Sequence, residues 1–196
     1  TLHASAEVPR WPLRRCVFEG LASASECEHA IGAALLGMDK FRARHAEAAR
    51  YNGETTLLAS PPDALRGTAG EGAARLVALL LWRVQAAVAD AFSEARPLYL
   101  SGAMLTHLQP PPHRGGGGGG GGDSYEYSVA PVDRANVAAC EDSAVPHLNS
   151  RCQAEPPAAG AFTGGDFCFV DEHGDEVLEP RAGRCVAFPS GFEQLH

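Results

Sequence analysis

The stretch 'EGAARLVALLLWRVQAAVADAF', Glu71 to Phe92, limits the fold more than any other part of the 196-residue chain. It contains no proline and is apolar nearly throughout, with Arg75, Arg83 and Asp90 marking a narrow polar stripe. Such a segment predicts a single helix, and a polar stripe this thin predicts a helix largely buried as a buttress against a sheet. Its longest unbroken apolar run, Leu76 to Trp82, sits between Arg75 and Arg83 and is too short to span a bilayer. No membrane contact is expected within this segment.

The sheet has to come from elsewhere, and the C-terminal third supplies it. In 'GAFTGGDFCFVDEHGDEVLEPRAGRCVAFPSGFEQLH', Phe167, Phe169 and Val170 predict one strand and His173-Gly174-Asp175 a hairpin turn. Val177-Leu178, a turn over Pro180 to Gly183 and a strand from Arg184 to Phe188 follow. 'PLYLSGAMLTHLQ' is strand-like through Tyr99, Leu100 and Leu105. Helices first and short antiparallel strands afterwards predict an α+β fold with a β-sandwich or jelly-roll body. The length suits one domain over 1–196, with helical support over 1–96 and strands over 97–196.

Within the helical part, 'LASASECEHAIGAALLGM' predicts a helix. Ser25 and Glu28 have capping-box spacing, and Cys27, Ala30, Ile31, Ala34, Leu35 and Met38 recur at helical intervals. 'NGETTLLASPPDALRG' reads as a loop broken by Pro61 and Pro62. Pro110 to Gly122 is a low-complexity loop, because polyglycine cannot recover its ordering entropy. Its eight glycines lack both a following Lys-Ser/Thr and a G-x-G-x-x-G frame, so a flexible insertion is expected rather than a phosphate cradle.

A formal charge of −8 argues against a nucleic-acid partner, which needs a clustered basic surface. The one basic group, Arg10, Arg14 and Arg15, is interrupted by Trp11, Pro12 and Leu13 and reads as an exposed strand edge. Six cysteines without C-x-x-C spacing make zinc unlikely; disulfides are slightly favoured over reduced core thiols. The chain begins at Thr1 rather than Met, so any leader or anchor would lie upstream.

Gly164-Gly165-Asp166-Phe167, then Val177, Pro180, Gly183, Phe188, Ser190 and His196, resemble the second half of the 2-oxoglutarate- and Fe(II)-dependent dioxygenases. The nearest branch is the prolyl 4-hydroxylase-like one. 'GLASASECEHAI' is similar to the segment that opens the same catalytic domain. The resemblance is specific over 162–196 and weak between 40 and 120. It implies a double-stranded β-helix (jelly-roll) core, here C-terminally truncated, buttressed by N-terminal helices. It also implies Fe(II), 2-oxoglutarate and L-ascorbate as cofactors, a peptide or protein substrate hydroxylated at proline or a similar side chain, and the endoplasmic reticulum or Golgi as compartment.

In that family iron is held by H-x-D on one strand and a distant histidine, because side chains at i and i+2 share a strand face. The resemblance places the metal positions at Asp133 and His196, and Tyr127 at the co-substrate pocket. Without the C-terminal match, Asp133 reads equally as a surface turn acid in 'VDRAN'. Two positions before it stands Pro131, which cannot coordinate a metal, so the first histidine is missing. His147, in 'SAVPHLNS', falls where the family commonly has a co-substrate tyrosine; it reads as a strand-end histidine before it reads as a substitute ligand. The family's basic co-substrate anchor lies beyond His196, so weak binding of 2-oxoglutarate is expected. A catalytically inactive relative, serving as a peptide-binding or assembly module, is the alternative function.

Overall fold

The structure is a computed structural model describing residues 14–44, 55–59, 61–92, 97–108, 140–152, 162, 164–172, 174–191 and 194–196. The elements are β1 (Cys16–Phe18), α1 (Ala24–Arg44), β2 (Thr55–Ala59), α2 (Pro61–Thr68) and α3 (Glu71–Ala91), then β3 (Met104–Leu108), β4 (Asp142–Pro146), β5 (Phe167–Phe169), β6 (Glu176–Leu178) and β7 (Cys185–Pro189). All strand pairs are antiparallel, in sheets ordered β1-β7-β4, β2-β3 and β5-β6. Two strands, β1 and β2, therefore lie in the part expected to be helical support, and each pairs with a strand from beyond residue 97.

The centre of the fold is β7. Cys185, Val186, Ala187 and Phe188 are all fully enclosed, as befits a strand covered on both faces. Alternation along the strand sends Ala187 to one side, where Val88 of α3 and the helix's C-cap residue Phe92 form a core with it. Val186 and Phe188 go to the other side and pack on Phe169, with Phe167 and Leu178 of the β5-β6 hairpin beside them. The result is a helix, a sheet and a hairpin in layers.

The helix α3 has the predicted limits, and its C-terminal half is the expected buttress. It is not largely buried, however: Ala74, Val77 and Val88 are enclosed, while Leu79 and Trp82 stand exposed at 40% and 63%. A helix covered on one flank only cannot bury every apolar side chain it carries. By length and composition α3 could cross a bilayer, although its longest apolar run is short; its N-terminal half packs instead on Ala30, Ala34 and Met38 of α1 and Leu65 of α2.

The stretch around Pro61 and Pro62 departs most from expectation. Thr55–Ala59 is a strand in register with Met104–Leu108, and the two prolines open α2 instead of breaking a loop. Proline suits the first turn of a helix, where its fixed φ fits and its missing N–H would have no partner anyway.

Helix α1 is capped two residues before the expected position. Ser23, not Ser25, forms the capping box: the Ser23 N–H and hydroxyl donate to Glu26 Oε2 at 2.9 and 3.0 Å, and the Glu26 N–H donates to Ser23 Oγ at 3.2 Å. Ser25 instead places its hydroxyl 3.3 Å from His29 Nδ1. Replacing Ser23 with alanine is expected to cost about 1 kcal/mol in urea unfolding, and Ser25→Ala much less. Arg83 of α3 also reaches Glu26, at 2.9 Å. That guanidinium, with the two Ser23 donors, pulls the Glu26 carboxyl from its usual 4.5 down to about 2. The folded-state value is depressed, so this contribution is complete above pH 4.5 and is lost as pH falls towards 2. Stability measured against pH should lose part of its acid limb in Glu26→Gln; identical limbs in both proteins would remove this coupling.

Candidate functional site

The C-terminal segment builds an aromatic cluster around His196. Gly164 and Gly165 both take positive φ, 74° and 72°, which lets the chain turn sharply into β5. Strand β5 then presents Phe167 and Phe169, which pack against Phe188 of β7 at ring-centroid distances of 5.8 and 5.1 Å. The His196 imidazole stacks on Phe167 at 5.3 Å and 22°, lies 4.9 Å from Phe188 and meets Phe169 edge-on at 6.4 Å. Its Nδ1 donates to the Gln194 carbonyl at 3.0 Å. A carbonyl accepts only, so Nδ1 carries a proton here, the second contact by which metal-bound histidines are commonly oriented.

Ser190, buried at 1% exposure, shares a 2.7 Å hydrogen bond with Ser143 and donates to Cys140 Sγ at 3.1 Å, tying the end of β7 to β4. His147 extends that pairing past Pro146. Its N–H donates to the Arg184 carbonyl at 2.8 Å, and its carbonyl accepts from Gly183 N–H at 2.9 Å. Pro146 thus ends β4 instead of interrupting it. The His147 ring stands edge-on to Phe167 at 6.5 Å, with Nε2 buried and lacking a hydrogen-bond partner. Burial above all, and then the positive charge of Arg184, hold its pKa below the usual value.

His147 and His196 therefore meet the same phenyl ring. Asp133, Tyr127 and Pro131 lie outside the described residues, as do Tyr125 and His113. Among the described residues no three His, Cys, Asp or Glu side chains are grouped closely enough to hold a metal ion. His107 is on β3, in the β2-β3 sheet. A groove of about 710 Å³ runs between α1 and α3 past His29, Leu36 and Leu76, and none of the predicted ligands lines it.

Three expectations about charge and sulfur are corrected. Arg184, which opens the predicted last strand and would ordinarily face solvent as a charge, is enclosed: its side chain is 10% exposed, donates from Nε to Glu19 at 3.0 Å and reaches the Glu179 carbonyl at 2.7 Å. Arg15 is not an exposed edge residue; its side chain is 8% exposed. Neither burial was legible in the sequence, because the carboxylates concerned lie some 150 positions or more away (Asp171 from Arg15, Glu19 from Arg184). All six cysteines are free thiols, so the disulfide expectation is not met. Burial pushes the Cys185 thiol up to about 12. Asp166 of the Gly-Gly-Asp motif accepts from Arg151 at 2.7 and 2.9 Å.

Over 93% of its length the chain is 31% identical to prolyl 3-hydroxylase 3 of Mus musculus and 32% identical to prolyl 3-hydroxylase 3 of Homo sapiens. The chain is similar to prolyl 3-hydroxylase 3. It spans about a quarter of the length of those relatives, 26% in each case. No protein-family model matches it. The similarity to prolyl 3-hydroxylase 3 covers most of the chain, a wider reach than the motifs of residues 162–196.

Proposed function

We propose that this chain is a prolyl hydroxylase-like domain of the Fe(II)- and 2-oxoglutarate-dependent dioxygenase class, acting on a peptidyl proline or similar side chain. One observation carries the reading. His196, named by the family resemblance as the distal ligand position, stands among three phenylalanines with Nδ1 engaged by a backbone carbonyl. The similarity to prolyl 3-hydroxylase 3 supports the same class. On this reading β1, β4, β7 and the β5-β6 hairpin belong to a jelly-roll core. The cofactors would be Fe(II), 2-oxoglutarate and L-ascorbate, and the compartment the endoplasmic reticulum or Golgi.

The donor set does not fully fit iron. His196 offers one imidazole and Asp133 a carboxylate, but Pro131 has no donor atom where the class has its other histidine. One imidazole and one carboxylate hold Fe(II) weakly. Pro131 therefore favours a second reading, in which the domain binds a proline-containing peptide or a partner chain without turning it over.

One experiment separates them. The chain is mixed with Fe(II), 2-oxoglutarate, ascorbate and a proline-rich peptide, and succinate, hydroxyproline and peptide binding are measured. Succinate with hydroxyproline establishes the dioxygenase, and the ring position of the hydroxyl tells 3- from 4-hydroxylation. Peptide binding without succinate establishes the inactive module, and neither result removes both. Pro131→His is expected to raise Fe(II) affinity; unchanged affinity would exclude Asp133 and His196 as its fellow ligands.

A further inference from the structure

We propose that Arg15, just ahead of β1, is a positioning residue that sets the place of His196. The inference rests on the reading of His196 as the distal ligand position.

An arginine side chain only 8% exposed is unusual and calls for partners on every donor. Arg15 makes four hydrogen bonds, to three later segments of the chain. Its two terminal nitrogens grip Asp171 at 2.5 and 2.7 Å, and one of them also reaches Glu176 at 3.0 Å. The guanidinium lies 3.8 Å from the centre of the Phe169 ring. Nε donates to Gln194 Oε1 at 2.8 Å. Gln194 is the residue whose carbonyl accepts from His196 Nδ1, and Phe169 is one of the rings that the imidazole meets. Arg15 thus touches two of the residues that support that imidazole.

Gln194 adds an independent sign. It is 1% exposed, and its Nε2 is buried without a hydrogen-bond partner. Enclosing an amide with an unused donor is unfavourable, and an apolar side chain would avoid the penalty. What the amide offers in return is the oxygen that Arg15 uses. The segment it holds makes one further tie to β5, from the Val170 N–H to the Leu195 carbonyl at 2.8 Å.

The test uses the whole chain, amide hydrogen exchange and the NMR signals of the His196 ring. Arg15→Lys keeps the charge but loses the planar fork and the flat face over Phe169. The Val170 amide should then exchange about tenfold faster, and the His196 ring protons should move away from the shifts that Phe167 and Phe188 impose. The β4-β7 ladder amides should keep their protection. Gln194→Leu, which leaves the Arg15–Asp171 pair intact, should give the same local pattern. Gln194→Glu in the Arg15→Lys background should restore it. Unchanged Val170 and His196 signals in both single variants would overturn the proposal. So would loss of β4-β7 protection in both, since Arg15 would then hold the fold as a whole. None of these signals depends on turnover. Absence of succinate from the wild type would remove the dioxygenase reading and leave the placement of His196 by Arg15 to stand or fall by itself.

Discussion

Phe188→Ala should lower the stability of the chain by about 3–5 kcal/mol, the range for emptying a large, fully enclosed aromatic site. Phe188 is 0% exposed and lies on the strand buried on both faces. It touches Phe169 at 5.1 Å, Phe167 at 5.8 Å and His196 at 4.9 Å. Phe169 and Val186, which border the space it would vacate, are equally enclosed. The cavity would therefore persist, and the His196 imidazole would lose one of its walls. Urea unfolding measures the effect as a fall in midpoint at constant m. Phe188→Leu should lose less, about 1–2 kcal/mol. A loss below about 1 kcal/mol for the alanine variant would mean that the cluster is not packed as described.

The second large effect belongs to Gly183. Its φ is +81°, and a Cβ placed on it would run into the Ala22 carbonyl oxygen. Its N–H donates to the His147 carbonyl, and its own carbonyl accepts from Leu21 N–H at 2.9 Å. The backbone is thus held on both sides while the approach to α1 leaves no room. Gly183→Ala should cost about 1–2 kcal/mol for the left-handed conformation and about as much again for the displaced backbone, or about 3 kcal/mol in all. Gly164 supplies the control: its φ is +74°, but nothing lies within 4 Å of its added Cβ. Gly164→Ala should show the conformational part alone. Equal losses in the two variants would refute the close approach to Ala22.

How much of this was legible in the sequence depended on the range of the interaction. Helix α3 was legible because its signal is local, in a long proline-free apolar run. The β5-β6 hairpin and β7 were legible for a similar reason, since short apolar pairs alternate with Gly- and Pro-marked turns. The capping box was recognised in kind but placed two residues late, because 'SASECE' offers overlapping serine-acid spacings and only the helix axis selects Ser23. Strand β2 was missed because its partner, β3, lies about fifty residues further on and two prolines follow it. Of the candidate site, His196 could be chosen in advance. Its Phe167 and Phe188 walls, and the approach of His147 to the same ring, could not.

By itself the sequence determined the span of α3, the short strands of the C-terminal third and the turn at Gly183. Each follows from local periodicity, backbone allowance or motif spacing, which are properties of residues close together in the chain. The tertiary structure decided the rest: β7 buried on both faces, the prolines opening α2, six free thiols, and two arginines taken out of water. Arg15 shows why. An arginine beside Trp11 and Pro12 reads as a surface charge, because ion solvation favours water. Burial becomes favourable only when Asp171, Glu176, Gln194 and Phe169 converge on it, and that convergence exists only once β1 has paired with β7.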